Sequence, residues 1–101
     1  MMLSEIVAIG QAQFLALDDW GQDTLRYVAV GNPEGVHTAT AVFDPETTEV
    51  HALEIFDVSE NITWVWVKQD LVLDIPGQRI EATQALQSLA YLLKATDDPT
   101  R

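Results

Sequence analysis

The groups in this chain that could carry chemistry are almost all carboxylates. The 101-residue sequence has 16 Asp and Glu against 5 Lys and Arg, with 2 His and no Cys, for a net charge of −11. Absence of cysteine excludes a disulfide scaffold, a thiolate metal site and a cysteine nucleophile, and it fits a reducing compartment. If Phe43 pairs with Val50 across "DPETTE", His51 faces Val42 and His37 faces Phe56. The two imidazoles are then far apart, and solvent-facing strand positions are expected in place of a metal site. Acid-base work by paired carboxylates needs one group raised in pKa by burial, and Asp18 and Asp19, adjacent in a turn-like stretch, are poor candidates. Glu54 lies inside the apolar run "VHALEIF", with Arg26 and Arg79 as possible partners. An ion pair or an edge position suits it better than catalysis. The chain contains no G-x-S-x-G, Walker, dinucleotide-binding or H-E-x-x-H pattern. The expectation is a non-catalytic protein with no catalytic, cofactor-binding or metal residues and no cofactor.

Charge narrows the partners. An excess of acid disfavours phosphate backbones and anionic membrane surfaces and favours basic proteins or cations; solubility alone would also explain it. The opening "MMLSEIVAIGQAQFLAL" lacks a basic start and carries Glu5, so it makes a poor signal peptide. No stretch reaches the roughly 20 apolar residues of a spanning helix. A cytoplasmic protein is expected, and the glycosylation-like "NIT" at 61–63 is then incidental.

The length suits one domain, residues 1–95, with a polar tail over 96–101. Leu3, Ile6, Val7, Gly10, Phe14 and Leu17 recur at helical spacing, which predicts a first helix over 3–17. The competing reading is a strand around Phe14 to Leu17 forming a hairpin across "DDWGQD". From residue 24 the period changes. "TLRYVAV" (24–30), "VHTATAVF" (36–43), "VHALEIF" (50–56) and "ITWVWV" (62–67) are β-branched and aromatic, separated by turn-rich pieces too short for parallel crossovers. "LVLDIPG" (71–77) would add a short fifth strand, and Ile80, Ala82, Ala85, Leu86, Leu89, Ala90 and Leu93 mark a final helix over 79–95, with Lys94 in its last turn. The predicted fold class is α+β: an antiparallel four- to five-stranded β-meander flanked by an N-terminal and a C-terminal helix packing on one sheet face.

Alternation places Ile62, Trp64 and Trp66 on one face of their strand, expected under the helices because aromatic rings bury the most area. Thr38, Thr40, Val42, Val65 and Val67 share the other face, a candidate homodimer surface or simply tolerated exposure. Loops of a meander alternate between sheet ends, so 18–23, 44–49 and 68–70 meet at one end. That end gathers Asp18, Asp19, Asp23, Asp44, Glu46, Glu49 and Asp70 against Lys68 and Arg26, while Glu34, Asp57 and Glu60 lie at the other. Trp20 stands among the carboxylates, placed to cap the sheet end or to dock a partner.

Helix, antiparallel sheet and helix, with an acidic first region ending in "LDDW", resembles the frataxin architecture, and the resemblance implies iron handling and cluster assembly. It covers one tetrapeptide and the element order, and fold analogy alone carries no function. Small acidic phage inhibitors that imitate nucleic acid are similar in size and charge. The residues by themselves lead to a small acidic protein-interaction module, expected to be a homodimer, with the carboxylate-rich end as docking surface for a basic protein and no direct contact with nucleic acid or membrane. The alternatives are a nucleic-acid mimic that inhibits a basic protein, or weak cation binding by the clustered oxygens. The calcium-loop spacing is missing from "DDWGQD".

Overall fold

The chain runs α1 (Leu3–Ala12), β1 (Ala16–Trp20), β2 (Thr24–Val28), β3 (Thr38–Phe43), β4 (Val50–Asp57), β5 (Ile62–Val67), β6 (Gln78–Arg79) and α2 (Ala82–Leu92). The computed structural model describes residues 1–13, 15–28, 37–58 and 60–92. Among the described residues the fold is α+β, with a six-stranded sheet in chain order, antiparallel from β1 to β5 and parallel between β5 and β6. The expected strand ends at 29–30 and 36, Glu34, Leu93, Lys94 and the tail over 96–101 lie outside the described residues.

Alternation in β2 and β3 puts Leu25, Tyr27, Ala39, Ala41 and Phe43 on one buried face. Both helices cover that face, adding Leu3 and Ile6 from α1 and Ala85 and Leu89 from α2 to a core that also holds Leu53 and Ile55. These helix positions recur at three or four residues, the spacing that keeps one stripe inward. The Glu5 carboxylate accepts the Met2 N–H at 2.8 Å, satisfying a donor that helix geometry leaves open. The Leu3 N–H donates to the Thr48 carbonyl at 2.9 Å, which ties the start of α1 to the start of β4. Gly10 lets α1 approach Tyr27: a Cβ there would overlap the ring and stand 2.7 Å from its Oη.

Four features depart from expectation. First, α1 ends at Ala12 and residues 16–20 form β1, paired to β2 through the turn at Gly21, so the helix reading and the hairpin reading each hold for part of 3–17. Asp18, Asp19 and Trp20 therefore belong to a strand, with a bulge between Leu17 and Asp19. Second, "LVLDIPG" is not a strand, since Pro76 lacks the N–H a ladder needs. It is a return that brings the chain back beside β5, where Gln78 and Arg79 pair in parallel with Trp64 and Val65.

Third, β4 bulges. Phe43 does pair with Val50, but Val42 pairs with Ala52, so His51 is the extra residue and every later pair moves by one. Thr38, not His37, faces Phe56. The bulge allows Val50 and Leu53, three apart, to point into one layer, and both are buried. Fourth, Val65 is 0% exposed, although it lies on the face away from the helices. Gly77 closes against it: with φ at +137°, its backbone sits where an added Cβ would be 2.7 Å from Val65 Cγ2 and from the Thr63 carbonyl oxygen. Trp64 and Trp66 occupy the helix side as expected, half-buried against the core. Among the described residues no helix is long and apolar enough to cross a membrane.

Candidate functional site

The end of the sheet where "GQD", "DPETTE" and "KQD" turn is built by backbone contacts. The Phe43 N–H donates to the Asp23 carbonyl at 2.9 Å and the Lys68 N–H to the His51 carbonyl at 2.8 Å, so the "GQD" turn is tied to β3 and the start of "KQD" to β4. Asp44 accepts the N–H groups of Glu46 at 2.8 Å and Thr47 at 3.3 Å, an Asx turn that leads to Thr48 with φ at 60°. Those two amides hold the Asp44 carboxyl below its ordinary pKa, aided by His51 and Lys68. Lys68 Nζ meets Glu49 Oε1 at 2.8 Å, which lowers the Glu49 pKa and raises that of Lys68. Arg26 Nε meets Asp18 Oδ2 at 3.1 Å. Among the described residues, Asp19, Asp23, Glu46 and Asp70 have no ion pair. Lys68 and Arg26 are thus already engaged, while these four of the seven carboxylates of the expected cluster have no ion pair among the described residues. No group of three His, Asp or Glu residues that could hold a metal ion occurs among the described residues.

Along β1, Leu17 pairs with Tyr27 and Trp20 with Leu25, so both apolar side chains stand on the helix side, whereas Asp19 opposite Arg26 belongs to the other. Leu17 is 48% exposed and Trp20 54% exposed. With Val7, Gln11, Leu15 and Tyr27 they line a groove of about 410 Å³ between α1 and the sheet edge. Burial there raises the Tyr27 hydroxyl above its ordinary pKa.

His37 was expected as a solvent-facing strand residue and Asp57 in a turn at the sheet end, and both are buried, at 6% exposure. The register shift explains it: once Thr38 faces Phe56, the next residues outward, His37 and Asp57, are neighbours. His37 Nδ1 lies 3.6 Å from Asp57 Oδ1 and accepts the Val58 N–H at 3.2 Å, while the Glu60 N–H donates to Asp57 Oδ1 at 3.3 Å. Asp57 also borders a cleft of about 430 Å³ with Trp64, Gln84, Gln87, Ser88 and Tyr91. Its carboxylate organises the β4–β5 turn, and the φ of 54° at Asn61 completes that turn, giving the "NIT" triplet a structural reason. Glu54 shares a row with Thr40, Arg26, Val65 and Arg79 across the sheet. Its direct neighbours are Thr40 and Val65; Arg26 is held by Asp18, and Arg79 Nη2 donates to the Leu73 carbonyl at 2.6 Å.

Of the second-face residues, Thr38, Thr40, Val42 and Val67 are half-buried, and Val65 drops out because its own chain covers it. Comparison with protein-family models, curated proteins and solved structures gave no match for this chain.

Proposed function

We propose that the protein is a small acidic, non-catalytic interaction module that docks a basic protein on the carboxylate-rich end of its sheet. The observation that carries the reading is the arrangement of charge: Lys68 and Arg26 are spent on Glu49 and Asp18, so that among the described residues Asp19, Asp23, Glu46 and Asp70 have no ion pair, at the sheet end toward which exposed Trp20 leads. Like charges held on one side of a molecule produce a field that speeds encounter with an opposite surface. A homodimer formed on the second sheet face through Thr38, Thr40, Val42 and Val67 leaves this end open, because the end and the face are different surfaces. A nucleic-acid mimic is the same docking with a narrower partner, one whose groove a polyanion would also fill.

The test is a native pull-down with tagged protein, eluted by rising salt, run in parallel with a Glu46→Gln/Asp70→Asn variant. Basic proteins should be released as salt shortens the screening length, and the variant should retain less of them. Competition by added DNA would point to the mimic. Bound material indifferent both to salt and to the variant would reduce the charge to solubility.

A further inference from the structure

The outer edge of β1 combines three properties that suit it to receive an added strand. Sheet order makes β1 an edge strand, with β2 as its only strand partner among the described residues, so a row of backbone N–H and C=O groups over 16–20 faces outward. On the helix side, that edge opens onto the groove floored by Leu17 and Trp20. On the other side stand Asp18 and Asp19, the first held by Arg26 and the second without an ion pair among the described residues. A second copy of β1 laid antiparallel would bring like carboxylates face to face, which disfavours self-pairing. A strand carrying lysine or arginine meets no such penalty.

We infer that the β1 edge takes up an extended segment of a partner as a seventh strand, with apolar residues alternating with basic ones. Period two dictates the alternation: every other side chain of the added strand falls over the Leu17/Trp20 groove, and those between fall beside Asp18 and Asp19. Main-chain hydrogen bonds then supply affinity, while the groove and the carboxylates supply selection. The inference rests on the docking reading above and adds the mode of docking and the kind of segment.

The probe is a labelled synthetic peptide of about six residues alternating valine and lysine, titrated with the full chain and followed by polarisation and by the amide NMR signals of residues 16–20. Two companions accompany it, one with glutamate for lysine and one N-methylated on alternate amides so that charge is kept but pairing is blocked. The parent peptide should bind, shift the β1 amides and weaken with salt. N-methylation should cost about tenfold or more, as several hydrogen bonds are lost, and Asp18→Asn/Asp19→Asn should weaken binding without unfolding the protein. Equal binding of the N-methylated peptide would overturn strand addition yet leave charge docking standing. Equal binding of the glutamate peptide, or no shift of the β1 amides with any peptide, would overturn the inference, with the docking reading decided separately by the Glu46/Asp70 variant.

Discussion

Asp44 takes the amides of Glu46 and Thr47, and Glu49 takes the Lys68 ammonium, so these two carboxylates shape the β3–β4 turn before they can greet any partner. Both are held below their ordinary pKa, Asp44 by the backbone hydrogen bonds and Glu49 by Lys68. The unfolded chain therefore binds protons that the folded chain refuses, and their contribution to stability is complete above the ordinary carboxylate range of about 4 and lost as pH falls through the folded values. Melting curves between about pH 6 and 2 should show a shallower acid limb for Asp44→Ala and for Glu49→Gln than for the parent; parallel limbs would contradict the assignment. Gly10 poses a contest between local and tertiary terms. Alanine would favour the isolated helix by about 1 kcal/mol, but its Cβ would overlap Tyr27, and overpacking costs about 1–3 kcal/mol. Gly10→Ala should therefore lower the urea midpoint, and a rise would mean that α1 can shift away from the sheet. The sequence shows Gly10 on the helical stripe; the ring opposite it is visible only in the fold.

Among the elements, β3, β4 and β5 lie where β-branched alternation predicts, within two residues at each end. β1 was visible only as the competing hairpin reading, and with other bounds, because "ALDDW" has neither alternation nor β-branched residues; β2 offers the edge with which it pairs. β6 has two residues and no pattern of its own; the return over 71–77 delivers it to β5. That return also removes Val65 from the expected dimer face. A carboxylate at Val65 on an open face should give a folded monomer, whereas Val65 is fully buried. Val65→Glu should therefore cost about 3 kcal/mol or more as a buried unpaired charge or a forced opening of the return, measured by urea unfolding. Val42, half-buried on the same face, should accept glutamate with its fold intact. Sedimentation of Val42→Glu against the parent then reads the dimer directly: a dimer using this face dissociates, and one that persists unchanged excludes it.

For the whole molecule, the net charge of −11 is an opposing term in folding. Compaction brings the uncompensated carboxylates together, and salt screens their repulsion more than it weakens the exposed Arg26–Asp18 pair. Raising sodium chloride from low concentration should therefore raise Tm, by about 4–8 °C for each kcal/mol of relieved repulsion in a domain of this size. A falling Tm would mean that the ion pairs outweigh the repulsion.

What the sequence determined by itself follows from local periodicity and connectivity: α+β class, the meander, which residues share a face, and the gathering of acidic turns at one sheet end. Periods of 2 and 3.6 are properties of the chain, and loop parity needs only strand order. Tertiary structure alone decided the bulge at His51, the burial of His37 with Asp57, the strand made from "LDDW" and the cover over Val65. Each depends on residues distant in the chain meeting at a particular register, and a register shift of one residue leaves no mark on composition or on the spacing of apolar residues within a single strand.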